Sequence, residues 1–350
     1  MGITNIQRNS RNPIITINDV KPSMDGYEVI GVFNAAATKY KDNYLLLLRV
    51  AERPIQKNED VFLCPIFNEC TGEINILGLD RHSSKYDFSD PRVVKWSVFD
   101  RYLTSISHIR LAWSKDGTKF EITDTPLIKA YNKYTAFGVE DPRITKIQDT
   151  YYISFTGVSD NGIVNCMWST KNFEDYQDHG VLFPPDNKDV SLFPEKIGGK
   201  YYILHRPSTS EYSAPNLWIA SSDNLESWGD HRILAKIRPD SWESQRIGGG
   251  AAPIRTDKGW LEIYHGADKN NKYSLGLMLL DLEEPWKIVS RYELPILEPE
   301  EPYEKEGFFG NVVFTCGAIL EDDIVHIYYG ACDNSVCEAS VKLEHLLELL

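Results

Sequence analysis

Polar residues break into otherwise apolar strands at several places in this chain, and their types point to one chemistry. They are Asn34 and Arg49, then Asp141 and Arg143, Lys196, His205 and Arg206, His265, and Asp333. Arginine offers a planar fork to phosphate-like oxygens, and lysine adds a point charge. The chain has 37 basic and 51 acidic side chains, a net charge of −14, so a focus of cations with few carboxylates implies an anionic ligand. A lone histidine in a strand is ordinarily a core residue; polar interruptions that converge from several units are a candidate site. No metal is expected, because His205 and His265 lie among cations that would repel one. No cofactor is expected either: GxxxxGK[ST] and GxGxxG stretches are absent. The glycine run at 248–250 reads as a close-packed turn leading into a strand.

An internal repeat must position these residues. Segments 33–52, 140–157, 192–207, 251–268 and 311–333 each read as an apolar strand, a short turn (KDN, QDT, IGGK, DKG, EDD) and an aromatic-rich strand. A second strand and turn follows, as in HIRLAWSKDGTKF and NLWIASSDNLESW. Two hairpins make four strands, the size of a propeller blade. Five units predict one all-β domain over 1–350, a five-bladed β-propeller whose innermost strands line a central channel. The first unit is lengthened by inserted loops at about 54–106, of which 83–100 reads as a long loop. VKLEHLLELL has leucines at helical spacing and predicts a short C-terminal helix over about 340–350. Aromatic residues near the connecting loops, Tyr273 and Phe309 among them, offer flat faces to sugar rings.

A hydrophobic content of 42% with 12% aromatics is ample for a core and excludes disorder. The longest apolar runs fall far short of the roughly 18 residues of a membrane span. The polar start lacks the apolar stretch of a secretory signal. Net negative charge argues against nucleic acid or an anionic membrane as partner. Six scattered cysteines with no CxxC pair read as reduced thiols, so a cytoplasmic location is expected. In a homo-oligomer, the inserted loops and terminal helix would be the contact surfaces.

The stretches GVEDPRI, LFPEK, LHRP, IGGGAAPI, GWLEIYHG and ILEPEEPYE run through nearly the whole chain. Together they resemble glycoside hydrolase family 130, the β-mannoside phosphorylases and their relatives. The resemblance implies a five-bladed propeller and inverting phosphorolysis of a β-mannosidic bond, with phosphate as co-substrate and α-mannose 1-phosphate as product. It implies Asp141 of EDPR as the acid, and Asn34 of FNAA and Asp333 of GACD as holders of the mannose. Lys196, His205, Arg206 and His265 fall in stretches that form the phosphate site, with Arg49. Arg143 belongs to the same set, or else tunes or orients the acid. In this family the acid is thought to pass its proton through a sugar hydroxyl. The logic is coherent: an inverting hydrolase needs a second carboxylate to deprotonate water, whereas phosphate arrives anionic and needs cations. Other five-bladed glycosidases, such as arabinanases and invertases, carry an aspartate where this chain has Asn34, an amide that cannot act as a base. Glu195 of LFPEK is expected to point away from the side that Lys196 faces. NDVKPSMDGYEVIGVFNAA and LLRVAERP resemble the β-1,2-mannoside branch more than the β-1,4 branch. The alternatives are β-1,4-mannoside phosphorolysis, β-mannoside hydrolysis and a non-catalytic sugar-binding propeller. Acceptor preference is expected in loops at 83–100, 131–137 and 208–215.

Overall fold

Tight polar turns between β-branched and aromatic runs favour antiparallel hairpins. The computed structural model, which describes residues 5–208 and 211–350, is built from them almost throughout. Five antiparallel meanders follow one another along the chain. The first comprises Tyr27–Tyr40, Asn43–Pro54, Ile106–Ser114 and Glu121–Ile122; the second Val139–Ile147, Thr150–Ser159, Gly162–Thr170 and Gln177–Phe183. The third comprises Asn187–Leu192, Tyr201–Pro207, Leu217–Ser222 and Gly229–Ala235. In the fourth, the first strand is split into Arg246–Gly248 and Ile254–Arg255, both paired with Trp260–Ala267; Tyr273–Leu280 and Ile288–Arg291 follow. The fifth joins Val313–Glu321, Ile324–Ala331 and Ser335–Lys342 to Gln7–Arg8 from the other end of the chain.

Arg8 anchors that N-terminal strand. Its Nε donates to Glu304 Oε1 at 2.8 Å and its Nη2 to the Glu298 carbonyl at 2.7 Å. Glu304 is fully buried and also accepts from the Tyr329 hydroxyl at 2.8 Å. Without Arg8 this carboxylate would lose its charge partner inside the protein, which is strongly destabilising.

Apolar clusters lie between successive sheets, because both faces of each are covered. Leu47 and Ile109 of the first meet Ile153 and Phe155 of the second. Met167 and Phe183 of the second meet Ile203 and Ala220 of the third, and Leu204 and Leu217 of the third meet Trp260 and Met278 of the fourth. Leu275 and Leu277 pack on Ile327 and Tyr329 of the fifth; Ile319 and Tyr328 of the fifth return to Leu46 and Val50 of the first.

The long loop expected at 83–100 is instead part of a small sheet, Asp87–Asp90, Val93–Lys95 and Arg101–Leu103, beside the hairpin Val61–Asn68 and Glu73–Asp80. Strands of three and four residues are too short to show a period of two. They are held by a local core of Cys64, Leu79 and Val94, flanked by Phe62, Tyr86 and Phe88. The terminal helix spans Leu343–Glu348 and buries Leu346; another short helix spans Pro302–Lys305. Cys70 is exposed, and the other five cysteines are buried free thiols. Among the described residues no helix is long and apolar enough to cross a membrane.

Candidate active site

The leading strands of the first three sheets each carry a bulge, between Phe33 and Ala36, between Glu140 and Arg143, and between Lys188 and Ser191. Within these bulges Asn34 (φ 49°), Asp141 (φ 46°) and Asp189 (φ 57°) adopt the left-handed conformation. That conformation is costly for most residues, but Asn and Asp tolerate it. A bulge also re-aims a side chain. All three side chains reach one cavity of about 590 Å³, which the fifth sheet completes with Asp333 and the fourth with His265 and Tyr273.

Asp141 Oδ1 accepts from Asn34 Nδ2 at 2.8 Å and from Arg49 Nη1 at 3.0 Å. Arg49 divides its fork: Nη2 donates to Glu140 Oε1 at 2.8 Å, and Lys188 Nζ reaches the other Glu140 oxygen at 3.3 Å. Its guanidinium lies 4.6 Å from the Phe33 ring. Burial drives the Asp141 carboxyl upward, but Arg49, Lys188 and Asn34 outweigh it and leave its pKa below the ordinary range. Asp333 goes the other way. Burial, opposed by Arg49 but reinforced by Asp141 and Glu140, pushes it up to about 6. Asn34 Oδ1 is buried without a hydrogen-bond partner among the described residues and lies against Gly330, where a Cβ would overlap it.

Asp189 organises a second cluster. Arg206 Nε lies 2.9 Å and His265 Nε2 3.2 Å from Asp189 Oδ2, while Arg143 Nη2 donates to Oδ1 at 3.2 Å. Burial alone would raise this carboxyl; Arg206, His265 and Arg143 hold it well below the usual range. Burial lowers the His265 pKa in spite of Asp189. A Cβ on Gly248 would overlap both Asp189 Oδ2 and His265 Nε2, so this close approach requires glycine.

Most residues expected at the site are brought to the cavity. Asn34, Arg49, Asp141 and Asp333 meet there, Arg206 and His265 stand beside them, and Tyr273 and Phe309 add aromatic wall. Arg143 is not among its lining residues. It is buried behind the cavity, donating to the carbonyls of Gly250 and Gly249 at 2.8 Å each and of Asp141 at 3.3 Å. Its guanidinium is spent on holding backbone, which fits the expected alternative of orienting the acid rather than binding phosphate.

Two further expectations are corrected. Lys196 lies beyond its strand in a turn, exposed, with its ammonium 4.6 Å from the Tyr201 ring. Its neighbour Glu195 is exposed as well and pairs with Arg255 at 3.0 Å, so it too lies outside the cavity. His205 faces away from the cavity because strand neighbours alternate and Arg206 takes the cavity side. It stacks on Phe183 at 4.4 Å and contacts Asn187 Nδ2 at 3.0 Å. Burial lowers its pKa to about 3, so the ring is neutral and offers no charge to an anion.

The sequence reading missed Lys188 and Asp189, and with them Glu140, Arg92 and Arg246. A signal for the first two exists. Asp189 in NKDVS occupies the place of Asn34 in FNAA and Asp141 in EDPR, but the turn that follows comes two residues later in this unit, which shifts the alignment to LFPEK. The site is also less poor in carboxylates than expected. Glu140, Asp141, Asp189 and Asp333 line it, against Arg49, Arg92, Lys188, Arg206 and Arg246. Among the described residues no group of His, Cys, Asp or Glu could hold a metal ion.

A carboxyl group bonded to a shared cation, beside further cations and aromatic walls, is an arrangement able to serve acid catalysis on a sugar next to an anion. Residues 85–350 match the model of glycoside hydrolase family 130, described as β-1,4-mannooligosaccharide phosphorylase, and the chain belongs to that family. It is 47% identical over 350 residues to a β-1,2-mannobiose phosphorylase of Listeria innocua serovar 6a, covering 99% of this chain and 98% of that protein. It is 44% identical over 249 residues to a 1,2-β-oligomannan phosphorylase of Thermoanaerobacter sp. strain X514, covering 70% and 82%. The solved Listeria innocua β-1,2-mannobiose phosphorylase in complex with β-1,2-mannobiose superposes with a TM-score of 0.94 at 46% identity, covering 99% of each chain.

Proposed function

We propose that this protein cleaves β-1,2-linked mannobiose and short mannooligosaccharides with inorganic phosphate, with inversion, releasing α-D-mannose 1-phosphate. The observation that carries this is the bonding of Asp141 to Asn34 and to an Arg49 shared with Glu140, next to Lys188. Asp141 is the acid that serves the leaving oxygen, directly or through a sugar hydroxyl. Asn34 and Asp333 hold the mannose. Arg49, Lys188, Arg206 and His265 hold the phosphate. A bound phosphate draws on the charge of Arg49 and Lys188, loosens their grip on the Asp141 carboxylate and raises its proton affinity. The acid is then armed only when its nucleophile is present.

The extra carboxylates do not favour hydrolysis. Glu140 is bridged between Arg49 and Lys188, and Asp189 is held by Arg206, His265 and Arg143, so neither is a ready base for water. The β-1,2 preference rests on the two relatives named for that linkage. We take the five sheets as the blades of a five-bladed propeller. The support is their face-to-face packing in chain order, with the fifth returning to the first. Cytoplasmic residence is part of the same proposal, in keeping with buried free thiols and a phosphate-consuming reaction.

The test is incubation with β-1,2-mannobiose, with and without phosphate, followed by ³¹P NMR. Phosphate-dependent α-mannose 1-phosphate is expected. Free mannose formed at the same rate without phosphate would overturn the proposal.

A further inference from the structure

A second cavity, of about 760 Å³, lies between the last strand of the second sheet and the third sheet. Its walls include Phe183, Trp218, Trp228 and Tyr212, with Asp186 and Glu211 between them. Tyr212 is 94% exposed, an unusual position for an aromatic ring. Two polar atoms at this groove, Trp228 Nε1 and Asn187 Oδ1, are buried without a partner among the described residues. Buried polar atoms normally find one.

The chemistry of the lining narrows the occupant. None of the lining residues is a lysine or arginine, and two are carboxylates, which disfavours phosphate, nucleic acid and other anions. Aromatic faces interleaved with hydrogen-bonding groups match a pyranose ring, which has an apolar face and a rim of hydroxyls. The position narrows it further. Ser208 lines both this groove and the catalytic cavity, so a chain leaving one would enter the other across a single residue.

We propose that this groove is a distal saccharide site, holding the mannose units beyond the second of a β-1,2-mannooligosaccharide whose cleaved end occupies the catalytic cavity. The site rests on the function proposed above. It would make the enzyme sensitive to chain length without touching the reacting atoms.

The test uses Trp218→Ala and Tyr212→Ala in the full chain, with kcat/KM measured for β-1,2-mannobiose, -mannotriose and -mannotetraose at saturating phosphate. Mannotetraose should lose about tenfold, the size of a lost aromatic contact, while mannobiose stays within about twofold. Equal loss at every length, or no loss at any, would overturn the site. A second arm needs no turnover. In an Asp141→Asn background, β-1,2-mannotetraose should quench tryptophan fluorescence saturably where mannobiose does not, and Trp218→Phe should remove that difference. If the wild-type protein releases no mannose 1-phosphate from any mannoside, the proposed function fails. Quenching by mannotetraose then keeps the saccharide groove, and its absence rejects it.

Discussion

Asp141 and Asp189 sit on corresponding bulges of neighbouring sheets, in the same left-handed conformation, and face the same cavity, yet their surroundings suit different work. The cation that bonds Asp141, Arg49, is shared with Glu140, so an incoming anion can draw it away. Asp189 is gripped by Arg206, His265 and Arg143, and Arg143 is itself fixed by three backbone carbonyls. The same backbone device thus produces a carboxyl that can be armed with a proton and one that stays ionised. What separates them is that an anion engaging Arg206 and His265 still leaves Asp189 its backbone-fixed Arg143, whereas the one cation bonded to Asp141 is shared.

The sharpest way to break this contrast is to neutralise each carboxylate in turn. Asp141→Asn should cut phosphorolysis by about 10³-fold or more, a loss typical of a general acid, with thermal unfolding nearly unchanged. Asp189→Asn should instead cost on the order of 3 kcal/mol of stability, because Arg206 and Arg143 remain charged and buried without their carboxylate. Turnover and calorimetry on both variants decide the matter, and reversed outcomes would reject the division of roles.

The anion clamp is tested next. Lys188→Ala and Arg206→Ala should each raise the KM for phosphate by about 30- to 100-fold, as loss of a charge-assisted hydrogen bond does. Lys196→Ala, altering an exposed side chain outside the cavity, should leave it within about twofold.

A smaller effect follows from Asp333, whose carboxyl is pushed up to about 6. As pH rises through that value it ionises and adds negative charge beside Arg49, so kcat/KM for phosphate should decline on that limb. The same raised pKa means that the fold favours the protonated form. Its stabilising contribution is complete below the ordinary aspartate range and is lost as pH rises through about 6. Asp333→Asn should therefore flatten the decline and raise the melting temperature at pH 7 but not at pH 4. An unchanged pH profile would separate Asp333 from the anion site.

The local chemistry of the chain was enough for the repeat, because each hairpin carries its own turn residues and apolar strands. It also marked Asp141 as a polar interruption, whereas the acid role came from the family resemblance of EDPR. Asn34 and Asp333 were marked in the same way, and the structure brings all three to one cavity. Lys188, Asp189 and the true direction of Arg143 were not legible. A strand alternates its faces residue by residue, so one bulge reverses every side chain after it, and the bulges at Asn34, Asp141 and Asp189 leave only a faint trace in composition. Ion pairing was hidden more deeply still. Arg143 meets the carbonyls of Gly249 and Gly250, more than a hundred residues away, across sheets that come together only on folding. Turn residues and hydrophobic alternation therefore determined how many hairpins form and roughly where the polar residues fall. The packing of sheet on sheet decided which cation each carboxylate keeps, since that depends on distances between segments remote in the chain.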